Sequence, residues 1–202
     1  MVDDSRTVKN NVINALLEAM YDVLDSDGRL SIIRYANLEH LKNRLPSDGD
    51  SPFEDFLKLL SSMNFLLAYS PKVMYELGRK FAFYFSPFGS HIMEFVDLLV
   101  DSLYQEIQFD VNYPKENEIE ICLTSCPFCR GMSALNSHPQ TVEYNCDFFS
   151  GVIYEALRKS AENDYIIEVN HSHKTTKGCI FKVNLLPKHQ TNNQTIEGSN
   201  PN

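Results

Sequence analysis

The chain has 202 residues, 43% of them hydrophobic and 22% charged, enough to bury one sizeable core and to predict one domain. A formal net charge of −9 repels phosphate backbones and argues against nucleic acid as a partner. No apolar run approaches the roughly 18 residues that span a bilayer, and the polar opening MVDDSRTVKN lacks the apolar segment of a secretory signal, so the expected location is the cytoplasm.

The first half reads as helices. Val8, Val12, Leu16, Met20 and Val23 recur at helical spacing, with Ile13, Leu17 and Leu24 beside them, and the run DSDG at 25–28 stops this helix. A second helix is expected from about Leu30 to Leu45, ended by Pro46. Ser51, Pro52 and Glu54 supply a cap, a first-turn proline and a capping-box glutamate for a third helix. Ser70 and Pro71 open a fourth, and a fifth is expected from about Ser90 to Gln108.

The pattern changes after Phe109. EIEICLT at 118–124 alternates, with Ile119, Ile121 and Leu123 on one face, and residues 109–114 are the candidate partner strand. A long helix follows from about Glu143 to Ala161, with Phe148, Phe149, Val152, Ile153, Ala156 and Leu157 on its apolar side. DYIIEVNHSHKTTKGCIFKV at 164–183 reads as a β-hairpin. Helices first, strands later and one late helix packed on the sheet predict an α+β fold, with N-terminal helices over a small antiparallel sheet. The domain is expected to cover residues 1–187, and 188–202 to form a disordered polar tail.

Five cysteines, Cys122, Cys126, Cys129, Cys146 and Cys179, all lie after residue 120. Their odd number argues against a disulfide framework. The cluster invites a metal or redox reading, against which stands the ordinary use of cysteine as a small apolar filler. In SCPFCRG (125–131) the Cys126–Cys129 pair allows three readings. It is a redox dithiol, half of a zinc site completed by Cys122, Cys146 or His138, or a structured loop with partly buried thiols. In the hairpin, a turn centred between His173 and Lys174 sets Glu168 opposite Cys179, close enough for two ligands of one ion. His171 joins them only if the chain curls out of the strand after Val169. The alternative is a solvated turn with exposed histidines and a buried thiol.

Three segments together resemble a family. YELGRKFAFYF (75–85) is similar to the glycine-centred helix of small subunits of the TRAPP vesicle-tethering complex, and YNCDFFSGVIYEALRK (144–159) to their later helix. The spacing Glu168-x2-His171-x7-Cys179 resembles the end of the 4-vinyl reductase-type domain, which shares that fold. The resemblance implies a TRAPP-subunit-like fold, often dimeric, and carries a zinc site onto Cys146, Glu168, His171 and Cys179, with His171 standing where the family has cysteine. It implies a binding module for a small apolar ligand, lined by Met74, Leu77, Phe81, Phe95, Leu99 and Phe149 on apolar spacing. The alternative is a dimeric interaction scaffold without chemistry, in which the apolar first and second helices meet a second copy. An enzyme is the remaining reading, although no cofactor motif is present. Haem domains that bind nitric oxide are structural cousins of this fold. His91 is the position to consider there, but a tyrosine-serine-arginine signature for the haem carboxylates is absent.

The last 15 residues, KHQTNNQTIEGSNPN, have almost nothing to bury. Their removal is expected to leave the melting temperature within a few degrees of the full chain, checked by calorimetry; a larger fall, on the order of 1 kcal/mol or more, would show that the tail docks.

Overall fold

A computed structural model describes residues 6–67, 70–86, 92–103, 107–125, 142–160, 165–174 and 178–188. In chain order the elements are β1 (Thr7–Lys9), α1 (Asn10–Tyr35), a 3₁₀ turn (Glu39–Lys42), β2 (Asp50–Pro52), α2 (Phe53–Leu67), α3 (Pro71–Phe85) and α4 (Ile92–Ser102). There follow β3 (Gln108–Lys115), β4 (Glu118–Ser125), α5 (Val142–Ser160), β5 (Tyr165–Lys174) and β6 (Gly178–Pro187). The architecture is α+β, as the pattern predicts: helices dominate the first half, and an antiparallel sheet of order β3-β4-β6-β5 closes the second. A small sheet unforeseen in the sequence, β1 with β2, ties Val8 to Ser51.

The DSDG run does break the first helix, but without a loop. Asp25 takes φ 66°, and its Oδ1 accepts from the backbone N–H groups of Asp27 (2.9 Å) and Gly28 (3.0 Å). The carboxylate thus caps the second half of α1 at the point where the first half ends. That second half stops at Tyr35, ten residues before the predicted Leu45. Asn37, at φ 56°, turns left-handed, and the N–H of Leu38 returns to the carbonyl of Ile33.

The following segment is then pinned onto the first turns of α1. Asn14 exchanges two 3.0 Å bonds with the backbone of Leu45, and Asn10 donates to the carbonyl of Pro46 at 2.9 Å. The Ser51 hydroxyl donates to Asn10 Oδ1 at 2.6 Å, so Ser51 serves this anchor and lies in β2 rather than capping the third helix. The N–H of Asn10 completes the set on the carbonyl of Gly49.

α3 and α5 cross with their backbones in contact. A Cβ on Gly78 of α3 would sit 1.9 Å from the carbonyl oxygen of Phe148, and one on Gly151 of α5 would sit 2.0 Å from that of Tyr75. Each helix presents its glycine to the other's main chain, so no side chain fits between them at either point. α5 in turn lies against β5. Its predicted apolar row, Phe148, Phe149, Val152, Ile153, Ala156 and Leu157, is buried as expected, together with Ile119, Ile121 and Leu123 of β4 and Phe181 and Val183 of β6.

Both apolar rows of α1, Val12 with Leu16 and Ile13 with Leu17, are buried within the chain itself. The surplus apolar face that suggested a second copy is therefore covered by α2 and α3, which pack on it.

Gly78→Ala and Gly151→Ala are each expected to force the helices apart and to cost about 3 kcal/mol, the upper part of the overpacking range. For a chain of this length that is a fall in Tm of roughly 6–12 °C, measured by calorimetry.

Candidate functional site

The hairpin does not assemble the predicted zinc site. In β5 and β6, Glu168 pairs with Asn184, His171 with Phe181, and His173 with Cys179. Side chains alternate across a sheet, so the pairing puts Cys179 and His171 on the inward face with Phe181 and Val183, and Glu168 on the opposite face. Cys179 is buried in the core, His171 is exposed with its ring 5.3 Å from that of Phe181, and Glu168 is exposed. Cys146 lies in the first turns of α5, but its side chain is outside the described residues, as are Cys126, Cys129, His138 and His91. Among the described residues no group of three or more His, Cys, Asp or Glu is placed to hold a metal ion. Zinc as a cofactor is thus overturned by the strand register.

Met74, Leu77, Phe81, Phe95, Leu99 and Phe149, the candidate lining residues, are all buried in one apolar core. Their neighbours are one another and further aromatic rings. Phe81 stacks on Phe85 at 5.6 Å and meets Phe148 at 5.5 Å, Phe85 meets Phe95 edge-on at 5.8 Å, and Phe148 meets Phe149 edge-on at 5.9 Å. Five phenylalanines from α3, α4 and α5 therefore pack ring against ring.

Polar chemistry gathers instead on the outer side of the α3–α5 crossing. Glu155 is 3% exposed and accepts from Arg158 Nε at 3.0 Å and Nη2 at 2.5 Å. Arg79 reaches the same carboxylate from α3, with Nε and Nη2 both at 3.4 Å, and touches Glu76 at 3.3 Å. The guanidinium of Arg79 also lies 5.1 Å from the centre of the Tyr154 ring. Next to it, Lys80 bonds Asp22 of α1 at 2.8 Å. Lys159 donates to the carbonyls of Ala82, Phe83 and Ser86 and so caps the end of α3. A cleft of about 180 Å³ opens here, lined by Arg79, Lys80, Phe83, Glu155 and Arg158.

The protonation states follow from the packing. Burial alone would push the Glu155 carboxyl up, but the hydrogen bonds and charges of Arg158 and Arg79 outweigh it and hold it below its ordinary value. Burial lowers Lys159. Tyr75 is pushed up to about 12 by burial and the adjacent Tyr154, and Tyr84 to about 12 by its bond to Asp22 and by burial. At neutral pH the cluster holds fixed charges and protonated phenols, an arrangement that binds charge rather than relays protons. The sequence signal for it is a repeated Arg-Lys dipeptide, 79–80 and 158–159, each following a mid-helix glycine. Only the crossing shows that the two dipeptides meet.

No family model and no curated protein matches the chain. Solved structures do. An Fe(II) unliganded H-NOX protein mutant from K. algicida is 14% identical at TM-score 0.57, with 89% of this chain and 97% of that one covered. A doubly substituted Tt H-NOX is 13% identical at TM-score 0.58, covering 96% of this chain and all of that one. An oxygen-binding H-NOX domain related to soluble guanylate cyclases, solved as its oxygen complex, is 14% identical at TM-score 0.56, with 96% and 100% covered. At such identities the likeness shows the fold alone, which is of the H-NOX type over the matched length. The expected kinship with 4-vinyl reductase-type domains and TRAPP subunits is overturned by these neighbours. The segments that suggested it carry the two mid-helix glycines, and those glycines record a close helix crossing rather than one family. The zinc-braced module for an apolar ligand and the vesicle-tethering scaffold fall with that kinship.

Because the Glu155 carboxyl is depressed in the folded chain, its contribution to stability is present above its ordinary value of 4.5 and is lost as pH falls through the lower folded value. Glu155→Gln is expected to flatten that acid limb: between about pH 5 and pH 3 the wild type should lose more stability than the variant. Urea unfolding across that range measures it.

Proposed function

We propose that the chain is a non-catalytic sensory domain on the H-NOX fold, one that does not use a histidine-ligated haem held by its described interior. The observation that carries the first half is the extent of the likeness: the fold is shared over 88–96% of this chain and 95–100% of the neighbours. Those neighbours include an oxygen-binding domain and H-NOX proteins in which haem distortion and activation are the subject. The fixed-charge character of the α3–α5 cluster agrees with a domain that binds and responds. No helix among the described residues is long and apolar enough to cross a membrane.

The second half rests on which side chains are buried. Haem iron needs an axial ligand such as histidine, and its carboxylates need cations or donors. The histidines whose side chains are described are His40 and His171. His40 is bonded to Asp55 at 2.9 Å on the surface turn, and His171 is exposed. The buried residues of and just beyond α4 are Ile92, Phe95, Val96, Leu99, Ser102 and Leu103, none of them an iron ligand of that kind. The five-phenylalanine cluster occupies the space between α3, α4 and α5. Among the described residues, then, no buried histidine is placed to ligate haem iron.

Hemin titration of the purified full chain, read by Soret absorption and by calorimetry, tests this. The expected result is cooperative unfolding without added cofactor, and loss in His91→Ala or His138→Ala of any one-to-one Soret band that forms, since both lie outside the described interior. A one-to-one band unchanged in both His91→Ala and His138→Ala, or a chain that unfolds cooperatively only with hemin, would overturn the reading.

A further inference from the structure

The α3–α5 cleft has a use that the ion pairs around it do not exhaust. We propose that it is a binding site for a small oxyanion, a phosphate or a carboxylate, received by Arg79 and Lys80.

The charge balance comes first. The chain as a whole is acidic at −9. At the seam, however, four cations, Arg79, Lys80, Arg158 and Lys159, have three carboxylates as ion-pair partners among the described residues, Glu76, Glu155 and Asp22. Lys159 bonds carbonyls only, which carry no formal charge. The seam is thus a basic spot on an acidic protein, and such a spot draws anions.

Geometry selects the receiving groups. Arg158 is committed to Glu155, with bonds of 2.5 and 3.0 Å. Arg79 is not held in the same way: its contacts to Glu76 and Glu155 all measure 3.3–3.4 Å, past the usual 2.7–3.2 Å for N–H···O. Its side chain is 32% exposed, its guanidinium lies over the Tyr154 ring, and its fork suits a planar or tetrahedral oxyanion. Lys80 stands one residue away on the same rim; its Nζ is held by Asp22 at 2.8 Å, so Arg79 is the main receiver and Lys80 adds positive charge beside it. The cleft, at about 180 Å³, is smaller than the 300–1,000 Å³ of pockets for drug-sized ligands, which restricts the anion to a phosphate or a carboxylate on a small body. Glu155 lies at the floor and opposes the incoming charge. Its negative charge sets a modest affinity and makes a sign prediction available.

The test is isothermal titration of the full chain with inorganic phosphate and, separately, with benzoate, at constant ionic strength held by sodium chloride. Binding itself is measured, so the outcome is independent of whether the sensory reading stands. Saturable binding of at least one of the two is expected. It should weaken about fivefold in Lys80→Gln and more in Arg79→Gln, and tighten in Glu155→Gln. Phosphate alone binding assigns the site to phosphate groups, and benzoate alone to carboxylates. Circular dichroism melts confirm that each variant is folded; Lys80→Gln alters an exposed side chain and keeps the test available if the buried Glu155 variant fails to fold. Heats no larger than those of added chloride, or an affinity unchanged in Lys80→Gln, would overturn the proposal.

Discussion

The structure depends on the close crossing of α3 and α5, at Gly78 on one helix and Gly151 on the other. With carbonyl oxygens about 2 Å from where a Cβ would stand, the two helices meet main chain to main chain. That approach lets α5 lie against α3 on one side and β5 on the other, while α3 packs on α1. It also sets the charges. Arg79 follows Gly78 by one residue and Glu155 follows Gly151 by about one turn, so the crossing that removes side chains from the seam puts a guanidinium and a carboxylate at its edge. A buried carboxylate is costly unless paired, and here its pairs come from both helices.

A second constraint acts at the other end of α1. Asn10 and Asn14 use their amides to hold the 45–51 segment against the helix start, which explains why polar residues sit buried in the first turns. Buried amides need such partners. The two-stranded sheet of β1 and β2 extends the same anchor through the backbone.

The likeness to H-NOX structures is one of fold, and fold and site are separable. A packed α+β scaffold needs complementary apolar faces, and five phenylalanine rings supply them between α3, α4 and α5. Fixed charges on the outer side of the α3–α5 crossing provide a different surface on which ligand chemistry can act.

The sequence by itself determined the α+β class, the helices α2 and α3, the pairing of β3 with β4 and the apolar row of α5. Each of these rests on local periodicity or on a start signal such as Pro71, which operate within one element. The break at Asp25 was legible as DSDG, though not its form, because a carboxylate cap can restart a helix without a loop. Tertiary structure decided the rest. The hairpin register differs from the one-turn reading by five positions, an odd number, and an odd slip moves Glu168 to the face away from Cys179. Alternation alone does not set a register, because it leaves the centre of the turn open. The meeting of two Arg-Lys dipeptides some 80 residues apart was likewise invisible in either helix: it exists only because two glycines let those helices touch.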